Sequence, residues 1–569
     1  MSLSGSFQIG QSALSAYQAA LAITGQNIAN IGNPEYARQT GNLTSVSGGG
    51  NYGYVKPGGG VSMSSMSRYI DESLEARLRD SYGTRAGAEV VYNTLYQTEA
   101  LYNELTEQDI STQLSEFFAQ FSTLETGPQE TSGRNLTIAS ADELVASIKR
   151  LRNGVIDQAE GLNDATAAAA ERAAELSERI AQLNREVVQQ ESDGRTIAGS
   201  LRDQRDTALR ELGELMDIQV REQDSGSVNV YVGSEPLVEF DRSRGPIVET
   251  ELRDGLEVAT LRFSDTNGTV VLQGGKLHGL LETRDQYLQD QVDRLDTLAA
   301  GLIYEVNRVH STGVGTSAYE NLLSEYAVND PDAALNTAAA GLPFPLENGT
   351  FIVHMRDAAT GQEITRQIEV DLDGLGDNDT TLADLATALG GVPGLNASVT
   401  TDNRLQLDTD DGQQVWFSED SSGALAALGV ASFFTGQDAS DIAVCDHIRE
   451  DPRLIATSLS GELSDGGNAG RIANLAVQTS TSSLLGNRSI QDYHESIISD
   501  LAVETSSAMT TYEAADSVYQ SLTAQRESIS GVNLDEEAIN LSKYETAYQG
   551  AARYLGVVES LTAEIMNLL

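Results

Sequence analysis

The sequence predicts a mainly α protein, a discontinuous multi-domain rod whose N- and C-terminal helices pair as a coiled coil. Between them we expect a helical-bundle middle domain with small β-hairpins and an inserted α+β domain. Three observations carry this prediction: apolar residues spaced by seven at both ends of the 569-residue chain, long helix-forming stretches in both halves, and a change of composition over residues 330–440. The predicted domains are residues 1–55 with 526–569, residues 56–328 with 442–525, and residues 329–441.

The N-terminal helix is predicted from Phe7 onward and ends at "GNP", because proline cannot continue a helix and disfavours helical geometry in the residue before it. Apolar residues recur every seven positions, with a second set three residues later, as in the a/d seam of a coiled coil. The first set is Phe7, Leu14, Leu21 and Ile28, and the second is Gly10, Tyr17, Thr24 and Ile31. Leu14, Leu21 and Ile28 are therefore candidate assembly residues.

The C-terminal helix shows the same spacing up to the final residue. Asn533 is its predicted N-cap, and acidic residues in the first turn complement the helix dipole. The two sets are Leu541, Tyr548, Leu555, Thr562 and Leu569, and Tyr544, Ala551, Val558 and Ile565. The candidate assembly residues are Leu541, Tyr548, Leu555, Val558 and Ile565. Two surface helices packed on a globular body would also explain either pattern alone, but two seams at opposite ends favour partner helices.

The middle of the chain is predicted from helical and alternating apolar patterns. Helices are expected over residues 69–121, 135–190, 201–217, 278–310 and 441–528. The short alternating runs "SVNVYVG", "PLVEF" and "LEVATLRF" predict hairpins. Within the insert, "TFIVHMRD", "EITRQIEVDLD", "NASVTTDNRLQLDT" and "QQVWFSE" predict strands, "SGALAALG" predicts a short helix, and "TLADLATAL" predicts a helix capped by Thr381 and Asp384.

The charge balance excludes two classes of partner. Lys and Arg total 36 against 84 Asp and Glu, which gives a formal net charge of −48. Such a surface repels nucleic acid and anionic membranes. No apolar stretch approaches the roughly 20 residues of a membrane span, and the N-terminus lacks the features of a cleaved secretory signal. The acid excess, with few lysines, indicates a salt-rich environment.

Folding stability is therefore expected to rise with salt. Self-repulsion of the −48 charge weakens as the Debye length falls from about 10 Å at 0.1 M salt to about 3 Å at 1 M. Thermal unfolding at the two salt concentrations tests this expectation. A melting temperature that stays flat or falls between them would contradict it.

Several residue clusters are similar to nucleotide-binding or metal-binding motifs, but each lacks a residue or an element that the motif requires. "GGGNYG" (48–53) matches G-x-G-x-x-G without a following helix, so it lacks the helix N-terminus that binds phosphate. "DLDGLGDND" and "DTDDG" lack the order of a calcium loop, and acidic turns explain them better. Cys445 and His447 have no further Cys or His nearby in sequence. We therefore predict no catalytic, cofactor-binding or metal-binding residues and no enzyme.

Two terminal segments resemble the flagellar axial proteins, the family of rod, hook and hook-associated proteins. The first is "NIANIGNPEYARQ" (27–39), in which Glu35 stands where the family motif more often has glycine. The second begins with "SGVNLDEE" (530–537) and continues to the end of the chain. Within the family, residues 127–163 and "DPRLIATS" (451–458) are similar to the members that form the first hook–filament junction.

The resemblance implies a structural subunit that joins hook to filament and self-assembles through its terminal helices into a helical or ring assembly. It implies secretion by the type III flagellar export route, without a cleaved signal peptide, to the extracellular flagellum. The implied partners are further copies of the chain, the hook protein, hook-associated protein 3 as the second junction protein, and an export chaperone on the C-terminal helix. Two alternatives stay open: a hook or filament subunit, and a secreted adhesin or hydrolase that uses the insert.

Overall fold

A computed structural model describes residues 3–47, 58–102, 109–192, 197–253, 256–375, 378–480 and 483–568. Within these ranges the protein is mainly helical, as the sequence predicts. No described helix is both long enough and apolar enough to cross a membrane. The glycine-rich motif at 48–53 and the last seam residue, Leu569, lie outside the described ranges.

The helices of the described ranges vary from one turn to sixty residues in length. A π-helical segment, Thr283–Leu288, joins two of them, and a 3₁₀ turn covers Pro452–Leu454. The helices are α1 (Leu3–Ala29), α2 (Glu72–Tyr102), α3 (Ile110–Thr126), α4 (Thr131–Gln190), α5 (Gly199–Leu215), α6 (Lys276–Glu282), α7 (Gln289–His310), α8 (Leu382–Gly390), α9 (Ala424–Leu428), α10 (Asp446–Glu450), α11 (Gly467–Asn474), α12 (Ile490–Ser530) and α13 (Leu534–Leu568).

The strands pair antiparallel in small sheets, with the orders β1-β2, β3-β4-β5-β6, β7-β8, β11-β10-β14, β12-β13-β9 and β15-β16. The strands are β1 (Gln39–Val46), β2 (Gly60–Arg68), β3 (Ile218–Glu222), β4 (Val228–Val232), β5 (Glu235–Glu239), β6 (Arg242–Ser243), β7 (Pro246–Arg253), β8 (Leu256–Phe263), β9 (Asn321–Leu323), β10 (Gly349–Asp357), β11 (Glu363–Val370), β12 (Leu395–Val399), β13 (Leu405–Thr409), β14 (Gln413–Ser418), β15 (Phe434–Thr435) and β16 (Ala443–Val444).

Two predicted helix starts are confirmed by their hydrogen bonds. The Thr381 hydroxyl accepts from the Asp384 amide at 3.1 Å, and the Asp384 carboxylate accepts from the Thr381 amide at 3.2 Å, which completes a capping box. Asn533 Oδ1 accepts from the Asp535 amide at 2.9 Å at the start of α13. Both caps satisfy amide groups that have no partner within the helix.

The prediction of helix across residues 441–528 is wrong for its first half. Among the described residues from 441 to 489, only short helical pieces occur, and α12 begins at Ile490. The Asp465 carboxylate accepts from the amides of Leu459 and Ser460 at 2.8 and 2.9 Å, so it holds the backbone in a turn. Pro452 and the Gly466-Gly467 pair add further breaks, and this local chemistry outweighs the apolar spacing.

The chain forms two compact units. The first contains Met1–Asn93, Glu160–Arg284 and Ser507–Leu569. One core cluster of this unit joins the second half of α4 with α5, α6 and the sheet β3–β6. It includes Ile180, Leu212 and Val230, each with no exposed surface. A smaller cluster of Leu74, Leu78 and Leu522 packs α2 on α12. Helices from both ends of the sequence therefore share this unit.

The second unit contains Thr94–Ala159 and Asp285–Ser506. Aromatic rings fill part of its core: Phe117 and Phe121 of α3 contact Phe433 with ring centroids 5.9 and 5.5 Å apart. The single tryptophan, Trp416 on β14, is 3 % exposed and stacks on His354 with centroids 5.0 Å apart. The fluorescence of Trp416 therefore reports on the packing of this unit.

Candidate assembly interface at the paired termini

Helices α1 and α13 pack together in antiparallel directions. Gly10 lies against Leu555 near one end of the pair, and Asn27 contacts Glu537 near the other. A Cβ atom at Gly10 would lie 2.6 Å from Leu555 Cγ, so any larger residue would displace that side chain. The glycine therefore permits a close approach of the two helices, at one of the seam positions of α1.

The predicted assembly residues occupy different environments in the single chain. Leu14, Leu21 and Ile28 on α1 are half-buried, as are Tyr548 and Leu555 on α13. Val558 is 4 % exposed, whereas Leu541 and Ile565 are 37 % and 44 % exposed. The intramolecular pair thus covers part of the predicted seam and leaves the rest accessible to other molecules.

The other side of α1 is covered by the antiparallel pair β1–β2. A Cβ atom at Gly41 would lie 3.3 Å from Ile23 Cδ1, and one at Gly60 would lie 3.3 Å from the Ile9 Cα. Ala16 and Ala20 are 4 % and 2 % exposed. Helix α1 is therefore held between α13 and a sheet, and its small residues allow both contacts.

Asn27 is the centre of a buried cluster that we call the polar junction, formed by Asn27, Tyr36, Arg38, Gln39 and Glu537. The Asn27 Nδ2 amide donates to the Gln39 carbonyl at 2.8 Å and to Glu537 Oε2 at 3.1 Å. Its Oδ1 accepts from the Tyr36 hydroxyl at 2.7 Å and from the Gln39 amide at 3.1 Å. All four hydrogen bonds of this side chain are thus made, although it is only 1 % exposed.

The charges of the polar junction are paired across the two ends of the chain. Arg38 Nε donates to Glu537 Oε1 at 2.9 Å, and its Nη1 donates to Glu536 Oε2 at 2.6 Å. The Arg38 amide also donates to the Ser530 carbonyl at 2.9 Å. Burial, with the nearby negative charges of Asp203 and Glu537, raises the pKa of Tyr36 to about 12, so its hydroxyl stays a donor at neutral pH.

The loop after α1 is held in place by hydrogen bonds from a side chain of α12. Arg526 Nε donates to Glu75 Oε1 at 2.7 Å, and its Nη1 donates to the Pro34 carbonyl at 2.5 Å. The Glu35 amide donates to Asn33 Oδ1 at 3.1 Å. Glu35 is not among the described residues with positive φ, whereas Gly32 has φ of 77°. Glutamate therefore fits at position 35 without backbone strain.

The structure brings together the two terminal motifs, which sequence analysis recognised only as separate segments. Asn27, Tyr36, Arg38 and Gln39 come from the first motif, and Glu537 comes from the second. The sequence patterns indicate no specific role for the first four residues, and Glu537 is one of the acidic residues expected to complement the helix dipole in the first turn of α13. A buried asparagine on the face of α1 that carries Ala20 is a signal that could have drawn attention to Asn27.

The two internal segments with a junction-protein resemblance also meet. Arg134, at the start of α4, is 1 % exposed and donates to the carbonyls of Pro128 and Ile455, each at 2.7 Å. It also donates to Thr457 Oγ1 at 2.9 Å. Within the second unit, the start of the segment 127–163 is therefore bound to the segment 451–458.

Comparisons with known proteins agree with this arrangement. The family model described as the helical domain of flagellar hook-associated protein FlgK matches residues 95–321. Flagellar hook-associated protein 1 of Escherichia coli K12 is 24 % identical to this chain over 586 residues, with 98 % of each protein covered. The chain belongs to the flagellar hook-associated protein 1 family. It is a structural protein of the bacterial flagellum and not an enzyme.

Further similarities extend over the length of the chain. Flagellar hook-associated protein 1 of Bacillus subtilis 168 is 23 % identical over 562 residues, which cover 98 % of this chain and 96 % of that protein. The solved structure of the flagellar hook junction protein FlgK from Burkholderia pseudomallei matches with a TM-score of 0.50 and 14 % identity, over 80 % of this chain and all of that chain. At this identity the structural match supports the fold alone.

Proposed function

We propose that this chain forms the junction between the flagellar hook and the filament, and that copies assemble through the paired terminal helices. The observation that carries the proposal is an apolar surface of α13 that the single chain leaves uncovered. We call this surface the exposed stripe. It consists of Tyr554, Val557, Leu561 and Ile565, which are 39 %, 57 %, 48 % and 44 % exposed.

The exposed stripe lies beside the face of α13 that packs on α1. Its residues follow one another by three or four positions, so they lie along one side of the helix. Leu555 follows Tyr554 and Val558 follows Val557, and each step along the helix turns the side chain by about 100°. Leu555 is half-buried and Val558 is buried. A row of exposed large apolar side chains favours a protein partner, because covering it removes apolar surface from water.

The family supplies the context of the proposed assembly. Its members are named for their association with the hook, and the solved relative is named as a hook junction protein. We assign the exposed stripe to contacts between copies of this chain. At the extracellular flagellum, the proposed partners are the hook protein on one side and hook-associated protein 3 on the other. Before secretion, the proposed partner is an export chaperone on α13.

Two aspartate substitutions on α13 separate assembly from folding. Val557→Asp is expected to change monomer stability by no more than about 0.5 kcal/mol, because this side chain is mostly exposed. It should nevertheless prevent filament attachment, because a charge would be buried between subunits. Leu555→Asp is expected to destabilise the monomer by about 2 kcal/mol, since Leu555 packs on Gly10. Thermal unfolding of purified protein and electron micrographs of complemented deletion cells measure the two effects.

Gln549→Asp is the matched control, because it adds the same charge on an exposed polar position of α13. It should support wild-type filaments. The amount of each variant exported into the medium must equal that of the wild type, since loss of chaperone binding would also remove filaments. If cells that export Val557→Asp normally also carry normal filaments, the assignment of the exposed stripe to assembly is refuted.

A further inference from the structure

We propose that Glu325, Cys445 and His447 form a binding site for a thiophilic divalent cation, and that zinc fits their donor set best. We call these residues the Glu-Cys-His cluster. A carboxylate oxygen, the thiol sulfur and an imidazole nitrogen lie within 4.8 Å of one another. Zinc prefers thiolate and imidazole ligands and also accepts carboxylate, whereas magnesium and calcium prefer oxygen ligands alone.

The imidazole of His447 is oriented as in a metal ligand. Its Nε2 lies 3.0 Å from the Ser432 carbonyl oxygen, and because a carbonyl only accepts, Nε2 carries a hydrogen. A backbone carbonyl bound to one ring nitrogen is the usual support for a histidine that binds a metal through the other. In His447 this leaves Nδ1 to face the cluster.

The distance from His447 Nδ1 to Glu325 Oε1 suits a shared ion. At 3.7 Å the two atoms are too far apart for a hydrogen bond. Two nitrogen or oxygen ligands of a tetrahedral zinc ion with bonds near 2.1 Å are roughly 3.4 Å apart. A small closure of the side chains would therefore bring both atoms into coordination.

A further polar group lies close to the cluster, and a cavity beside it gives cations a route to the three ligands. Tyr319 packs edge-on against His447 with ring centroids 5.8 Å apart, and its buried hydroxyl has no hydrogen-bond partner among the described residues. Glu325, His447 and Tyr319 border a cavity of about 550 Å³. Glu320, Asp446 and Glu450 also line this cavity and would concentrate cations there. Water from the cavity can supply a fourth ligand.

The position of the cluster gives the ion a structural role. Glu325 precedes the segment 329–441, and Cys445 and His447 follow it, so an ion bound by all three would tie the two ends of that segment together. The tie would span 445 − 325 = 120 residues of chain. Closing a loop of this length restricts the unfolded chain, so metal binding should stabilise the second unit.

Spectroscopy with Co²⁺ tests the proposal on the full-length protein. Reduced protein is treated with a chelator, dialysed and titrated with Co²⁺. Because Cys445 is the only cysteine, a thiolate-to-cobalt absorption band can come only from it. We expect this band to saturate at one Co²⁺ per chain and to disappear on addition of Zn²⁺. Zn²⁺ should also raise the unfolding midpoint monitored by Trp416 fluorescence and slow the reaction of Cys445 with a thiol reagent.

Variants distinguish the cluster from unspecific binding by an acidic chain. Cys445→Ser should lose the band and the zinc-dependent stabilisation, and His447→Gln should weaken Co²⁺ binding at least tenfold. Asp373→Asn alters the acidic group Asp371, Asp373 and Asp379 and should change neither property. A wild-type protein without the band, or an equal zinc-dependent shift in Cys445→Ser, would overturn the proposal. If circular dichroism shows that Cys445→Ser is misfolded, the proposal is judged by the Co²⁺ absorption band of the wild-type protein and by the loss of this band when Zn²⁺ is added.

Discussion

Replacing Asn27 with leucine is expected to destabilise the paired termini by about 3–5 kcal/mol. The substitution removes both donors and the acceptor of the amide, which leaves Glu537 Oε2, the Tyr36 hydroxyl and the backbone groups of Gln39 without these partners. Glu537 is 1 % exposed, so water cannot replace the lost hydrogen bond without opening the structure. Each buried polar group left unpaired costs about 1–3 kcal/mol.

The measurement combines denaturant unfolding followed by circular dichroism with limited proteolysis of the purified protein. Asn27→Leu should unfold at lower denaturant and be cleaved faster within α1 and α13. Asn30→Leu is the matched control, because Asn30 follows three residues later and its side-chain hydrogen bonds within the described ranges are local. Its Nδ2 donates to the Gln26 carbonyl at 2.8 Å, and its Oδ1 accepts from Asn33 Nδ2 at 3.5 Å. Equal unfolding midpoints for the two variants would show that the polar junction does not stabilise the fold.

Replacing Arg134 with methionine is expected to destabilise the second unit by about 4–5 kcal/mol. The guanidinium is the donor that the carbonyls of Pro128, Pro452 and Ile455 share, at distances of 2.7–3.1 Å. Burial lowers the pKa of Arg134 to about 10, so the group is still charged at neutral pH. Methionine keeps part of the apolar stem but removes the buried hydrogen bonds to the Pro128 and Ile455 carbonyls and to Thr457 Oγ1. Each buried acceptor left unpaired costs about 1–3 kcal/mol.

Trp416 fluorescence during denaturant unfolding measures this effect, because Trp416 belongs to the same unit. The unfolding midpoint of Arg134→Lys should lie between those of the wild type and Arg134→Met. The ammonium group of lysine keeps the charge but cannot reproduce the planar arrangement of donors in the guanidinium. Arg150→Met is the control: Arg150 is exposed on the same helix and donates to Ser147 Oγ at 2.8 Å. A midpoint for Arg134→Met equal to that of Arg150→Met would refute the structural role.

Patterns of residues that are close in sequence predicted most of the helices and strands and the family of the protein. The spacing by seven predicted helices at both ends, and short polar motifs predicted the caps at Thr381 and Asn533. These features are readable because helix periodicity and capping depend on residues within a few positions of one another. The same local reading failed over residues 441–489, where turns made by side chains such as Asp465 replace helix.

The sequence by itself determined the helical character, the strong negative charge and the motifs that assign the chain to its family. Only the tertiary structure decided which polar groups meet. Asn27 and Glu537 are 510 positions apart, Arg134 and Ile455 are 321 apart, and Glu325 is 120 positions before Cys445. No periodic pattern encodes such pairs, because each depends on how distant helices and loops pack, and burial then makes the pairing of these groups energetically decisive.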